Sequence, residues 1–215
     1  MDSELTCVYG PGMLSLRKDG RLSVLRVLVA ANVGVFVLES LLTPMGHIRV
    51  DSVFGLSVRG ISEGMLWQLV THQFLHGSFF HLLVNMLGLW FAGRILENLL
   101  GGTRFLLFYL ACGICGGIFQ LVIDPGPILI GASGAVCGVI AAFSALYPEM
   151  PITALLFFVV PVRMRAKWLG RIIVIFSVFL ILTHLMENIG NAAHLGGALA
   201  GYAIVRLGRR RQSLA

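Results

Sequence analysis

Charge is scarce in this sequence: 12% of its 215 residues are Asp, Glu, Lys or Arg, while 57% are hydrophobic. A water-soluble domain uses about 25% charged residues to cover its surface. A chain with half of that is not built to be surrounded by water. Cysteine is limited to Cys7, Cys112, Cys115 and Cys137, and offers no metal or redox signature. Cys112 and Cys115 lie in an apolar run, where cysteine behaves as a small hydrophobe. Internal repeats and low-complexity segments are missing, as is the inverted-repeat symmetry of many transporters. The N-terminal MDSELTC has two acids and no apolar core, so neither a signal peptide nor a mitochondrial presequence is expected.

What is abundant is apolar sequence in long runs. Spanning a bilayer takes about 20 residues of helix, and six segments qualify or nearly qualify: 22–42, 79–96, 105–123, 133–146, 169–186 and 192–207. The fold class expected is therefore an all-α membrane protein, a six-transmembrane helical bundle. The 26 glycines suit it, because small residues let membrane helices approach closely. Residues 152–162 are apolar too but too short to span. Their β-branched and aromatic content between Pro151 and Pro161 predicts an extended interfacial segment.

The net charge of +6 reads as topology, and no nucleic-acid partner is expected. Arg17, Lys18, Arg21 and Arg26 precede or open the first span, and Arg94 and Arg104 flank the turn between the second and third. Arg163, Arg165, Lys167 and Arg171 lie between the fourth and fifth, and Arg206, Arg209, Arg210 and Arg211 close the chain. With six spans and both termini inside, all of these are cytoplasmic, and Arg49 and Arg59 alone lie outside. The organisation expected is a short cytoplasmic N-terminal segment (1–20), a six-span domain (21–207) and a basic cytoplasmic tail (208–215) held to anionic lipid. The first external loop, 43–78, is long for a structureless connection and is expected to be functional. Its second half, 64–76, has helical spacing and carries Trp67, so it is expected to lie in the membrane interface.

On this topology four polar residues converge near the outer side. His81 and Asn85 are four apart on the second span and share a helix face. Ser133 opens the fourth span and His194 falls in the first turn of the sixth. Taken singly, a serine at a helix start is ordinarily an N-cap, such a histidine an interfacial hydrogen-bonder, and such an asparagine helix glue. Together they make chemistry. A serine hydroxyl needs a neighbouring base to become nucleophilic, and His194 can take its proton. Attack on an amide creates an oxyanion, for which the Ser133 amide at a helix N-terminus is one donor and Asn85 and His81 can be two more. No acid lies within a span to orient His194, so a Ser–His dyad is predicted rather than a triad. For the dyad to meet, the fourth and sixth spans must nearly touch. Gly134 with Gly138, and Gly197 with Gly201, give each a GxxxG face for that purpose.

HLLVN at 81–85, GASG at 131–134 and AHLGG at 193–197 occur in the order and on the spans of the rhomboid family, which the region from about Trp67 to Tyr202 resembles. The resemblance implies an intramembrane serine endopeptidase with Ser133 as nucleophile, His194 as general base, and His81, Asn85 and the Ser133 amide as oxyanion hole. It implies structural roles for Gly131 and for a buried glutamate, Glu97. It further implies single-span transmembrane substrates in the lipid bilayer, cut near the outer end of their helix, with the fifth span as lateral gate and no cofactor. A bacterial plasma membrane, with the site facing outward, is the expected location.

Two positions depart from the family pattern. The pair that is often Trp-Arg reads Trp67–Gln68, and Cys137 stands where some members have a tyrosine under the histidine ring. Three rival readings follow from other features. His72 and His76 in HQFLH have the i, i+4 spacing of a zinc-protease helix, but Gln73 replaces the base and no third ligand follows, so no metal is expected. A rhomboid-like protein that binds helices without cutting them is a second rival; such relatives typically lack the serine or the histidine. A transporter is the third, but no acidic relay crosses the spans. Glu39 and His184 are expected to reach the interface.

Overall fold

The computed structural model describes residues 23–42, 50–126, 128–156, 160–185 and 190–213. The expected N-terminal segment 1–20 lies outside them, as do Leu22, Met186 and the last two residues. Among the described residues there are six long helices: α1 (Val24–Leu42), α5 (Phe79–Leu100), α6 (Gly102–Ile123), α7 (Ser133–Leu146), α8 (Ala166–Thr183) and α9 (Asn191–Ser213). Each coincides with one expected span, and the differences are confined to a turn or two at the ends. Four of them (24–41, 79–100, 102–123 and 166–183) are individually long and apolar enough to cross a membrane. α7 is apolar but has only 14 residues, and the arginines at its end dilute the apolar character of α9.

Local chemistry sets the boundaries. Ser78 caps α5, its hydroxyl accepting the His81 amide at 3.1 Å. At the other end Gly101 takes φ +79, returns its amide to the Glu97 carbonyl at 2.8 Å, and starts α6 at the next residue. That single-residue reversal needs a conformation that a Cβ disfavours. Glu97 is half-buried rather than buried. Its carboxylate accepts Ser23 Oγ at 2.7 Å and the amides of Val24 at 2.5 Å and Leu25 at 3.3 Å. A negative group is thus fixed on the positive end of α1.

The loop between α1 and α5 is not structureless. Its described residues hold three short helices, α2 (Val50–Phe54), α3 (Val58–Ser62) and α4 (Gln68–Thr71), and a 3-10 turn (His72–Phe74). Where it is described, the 152–162 run is extended as expected, in an antiparallel hairpin of β1 (Pro151–Leu156) and β2 (Val160–Arg165).

The core is centred on α7, which packs against α5, α6, α8 and α9. Ala135, Val139, Ala142 and Phe143 are fully buried there. The α7–α9 contact is the most extensive in the molecule, and glycine makes it so. A Cβ on Gly197 would collide with the Gly134 carbonyl, and one on Gly201 with the Gly138 carbonyl. The lower end is fastened by Arg209, which donates to the Leu146 carbonyl at 2.8 Å. This arginine of the basic tail therefore also satisfies a terminal carbonyl of α7. Cys112–Gly113–Ile114–Cys115 spells CxxC, yet Cys112 is buried and Cys115 is exposed, consistent with cysteines used as packing.

Candidate functional site

Ser133 is the first residue of α7 and His194 lies in the first turn of α9, its amide bonded to the Gly190 carbonyl at 3.0 Å. Their side chains meet: His194 Nε2 and Ser133 Oγ are 2.7 Å apart. With His194 protonated on Nδ1, the serine hydroxyl donates to Nε2, the arrangement a general base requires. Both residues are half-buried.

Gly131 shapes the approach to the serine. It has φ +126, and a Cβ there would lie 2.7 Å from His81 Cε1 and 3.7 Å from Ser133 Oγ. The His81 ring and the Ser133 hydroxyl therefore border the same small space, kept open by a missing side chain. Asn85 is buried one turn further along α5, and its Nδ2 donates to the His81 carbonyl at 2.8 Å. That bond uses one of its two N–H groups. Ser133, His194, His81 and Gly131 are thus gathered at one place, with Asn85 directly beneath His81.

The segment before Ser133 is held by the external loop. Leu56 and Leu129 exchange backbone bonds of 2.9 and 2.7 Å, and the Gly131 amide donates to the His72 carbonyl at 2.8 Å. His72 is buried and its Nδ1 is 2.7 Å from the Gln68 carbonyl. Gln68 is itself fully buried. Its Oε1 accepts the Ser57 amide at 3.2 Å, and its Nε2 donates to the carbonyls of Ser52 at 3.3 Å and Val53 at 3.2 Å. Glutamine at the position that is often arginine thus ties α2, α3 and α4 together without a charge. Glu39 Oε2 accepts the His76 amide at 3.4 Å.

The zinc-protease reading of HQFLH fails on backbone geometry. The helical turn stops at Phe74, and Leu75 is extended with ψ 147, so His72 and His76 do not stack on one face. His76 instead sets its ring edge-on to His81, with centroids 5.0 Å apart.

Burial lowers the pKa of His72 to about 4 against the opposing Gln68 hydrogen bond. His76 is also lowered to about 4, by burial and by the neighbouring His81. Both stay neutral in the folded loop while the unfolded chain takes up protons near its ordinary 6.5. Stability is therefore complete above pH 6.5 and is lost as pH falls towards 4. For His72 the full loss is about 3 kcal/mol. The thermal midpoint in detergent should drop across this window, and the drop should shrink in His72→Asn, which keeps a donor but does not titrate.

One residue of the site carries no motif. Gln120 on α6 accepts the Ala193 amide on its Oε1 at 3.0 Å, while its Nε2 donates to the Asp124 carbonyl and, at 3.3 Å, to Asp124 Oδ2. It caps the start of the helix that carries His194, next to that residue. The only sequence signal is a glutamine in an otherwise apolar run with an aspartate four residues on. Gln120→Met, similar in size but unable to accept the amide, should lower turnover about tenfold with little change in substrate KM, the pattern of a displaced base. Gln120→Glu, which restores the acceptor, should recover part of it.

Long apolar helices enclosing a serine–histidine pair define an integral membrane protein with the parts of a hydrolase. Residues 63–211 match the Rhomboid domain family, and the chain belongs to the rhomboid family of intramembrane proteases. It is 38% identical over 143 residues to Rhomboid protease GluP of Bacillus subtilis, covering 66% of this chain and 26% of that protein. It is 35% identical over 140 residues to Rhomboid protein 1, mitochondrial, of Saccharomyces cerevisiae, covering 62% of this chain and 39% of that one. With RHOMBOID-like protein 12, mitochondrial, of Arabidopsis thaliana the identity is 33% over 205 residues, covering 86% and 59%. The chain thus spans less than two thirds of the length of each of these three relatives.

Proposed function

We propose that this protein is an intramembrane serine endopeptidase that cuts single-span transmembrane proteins in or beside their membrane helix. The observation that carries the reading is the 2.7 Å contact between Ser133 Oγ and His194 Nε2 at the N-terminus of α7. Ser133 attacks the scissile carbonyl while His194 takes its proton. The tetrahedral oxyanion is received by the Ser133 amide and by side-chain N–H groups of His81 and Asn85. Collapse expels the amine, to which His194 returns the proton, and leaves an acyl-enzyme that water hydrolyses by the same base. Among the described residues no carboxylate is bonded to His194, and the Gln120 cap on α9 and the glycine contact with α7 supply its orientation.

In this reading all six long helices span the bilayer, 21–207 form the protease domain, and both flanking segments, 1–20 and 208–215, are cytoplasmic. The site faces the outer side of a bacterial plasma membrane. At 14 residues, α7 is about 21 Å long against about 30 Å of hydrocarbon. Ser133 then starts below the outer surface, where a water-filled recess can reach it.

The test is cleavage of a single-span substrate in liposomes, together with fluorophosphonate labelling of the protein. Cleavage with covalent label on Ser133 supports the reading. A folded protein that neither cuts varied single-span substrates nor labels would be a helix-binding relative instead.

A further inference from the structure

The β1–β2 hairpin leaves α7 and leads into α8, and its two faces differ. Strand alternation puts the paired residues Ile152 with Met164 and Ala154 with Val162 on one face. Ile152 is buried in the core and Met164 packs against it. Ala154 and Val162 are only half-buried, and Val160 is 50% exposed. The apolar face therefore begins in the bundle and runs out beyond it, left open by the described residues. The opposite face pairs Thr153 with Arg163 and Pro151 with Arg165, all exposed.

A lone two-stranded hairpin is marginal in water, so a cover for this face is needed. The surroundings identify it. Met150, 40% exposed, and Trp168, 48% exposed, extend the apolar surface at the hairpin base. Around them stand Arg163, Arg165, Lys167 and Arg171, with Arg209 bonded at the nearby end of α7. Among the described residues the ion pairs at this end use one carboxylate, Glu149, which takes Arg165 at 2.6 Å and Lys167 at 2.7 Å. Arg171 lies over the Trp168 ring, 5.0 Å from its centroid, the pairing of an interfacial anchor.

We propose that the hairpin is a membrane-docking element of the cytoplasmic leaflet. Its Val160–Val162 face enters the acyl boundary, while Arg163 and Arg171 hold the headgroups of anionic phospholipids. The proposal rests on the topology given above, because it needs this end of the bundle to face the anionic leaflet. An uncharged run from 152 to 162 followed by four cations within nine residues, 163–171, is the sequence form of the same device.

The test is hydrogen–deuterium exchange of the full chain in nanodiscs of phosphatidylcholine alone and of phosphatidylcholine with about one third phosphatidylglycerol. Amides of β1 and β2 should exchange about tenfold more slowly in the anionic discs, the scale of attraction expected for one to two interfacial cations. The double variant Arg163→Gln, Arg171→Gln should remove the difference between compositions. Val160→Asp should speed exchange in both. Identical exchange of the parent in the two discs would overturn the proposal. So would protection that appears only when two copies share a disc, since a second chain would then be the cover. Fluorophosphonate labelling of the same samples separates the two readings. Labelled protein without lipid-dependent protection sinks the hairpin proposal alone, and protected protein without label sinks the catalytic one alone.

Discussion

Ser133→Ala and His194→Ala should each lower cleavage of a single-span substrate by about a thousandfold or more, and the double variant should be no worse than either single one. The reason is the shared hydrogen bond: Ser133 Oγ and His194 Nε2 are 2.7 Å apart and act as one unit. Removing either half removes nucleophilic catalysis altogether, so the losses do not add. Both substitutions are mild for folding, since each shortens a half-buried side chain and leaves the glycine contacts intact. Thermal midpoints within a few degrees of the parent should accompany the loss. Rates measured in liposomes, with the folded fraction determined in parallel, check this. Additive losses in the double variant would mean that the two residues serve different steps. Asn85→Ala should be milder, about a hundredfold, because it removes one of the three oxyanion donors proposed above. A rise in KM with turnover unchanged would instead assign Asn85 to substrate binding.

The parts of this molecule legible in its sequence are those that obey short-range rules. Hydropathy and the placement of arginines located the six long helices, and β-branched residues between prolines marked an extended segment, though not that it folds back on itself as a hairpin. The i, i+4 spacing put His81 and Asn85 on one face of α5. Long-range partnership was not legible. Gln120 reaches the start of α9 across 73 residues, and nothing near it in sequence announces that. Gln68 reads as a lost arginine, yet the fold around it supplies two carbonyls and an amide that a neutral amide side chain satisfies. The HQFLH spacing misleads because spacing counts only while the helix continues, and here it stops at Phe74. Glu97 was expected as a buried group. Its half-buried position goes with its task, since it caps the first turn of α1, where Ser23 and Val24 are themselves half-buried.

The glycine contact should be the second most sensitive feature, and Gly197→Ala its sharpest probe. A Cβ at Gly197 would collide with the Gly134 carbonyl, and backbone cannot step aside as a flexible side chain can. α7 and α9 must then separate, at a cost of about 1–3 kcal/mol. Gly134 follows Ser133 directly and Gly197 lies one turn below His194, so the gap opens at the dyad itself. A misplacement of about 1 Å there lowers turnover about a hundredfold. Gly201→Ala collides with the Gly138 carbonyl in the same way, but one turn deeper. It should cost similar stability and less activity, because separation there is partly absorbed before it reaches Ser133. Gly208→Ala meets nothing within 4 Å and should match the parent in both respects. Thermal unfolding and the rate of fluorophosphonate labelling, measured on all three, separate stability from alignment. If Gly197→Ala and Gly201→Ala lose labelling rate equally, the contact acts on the fold as a whole; if Gly197→Ala labels at the parental rate, backbone contact at that level does not set the distance between nucleophile and base.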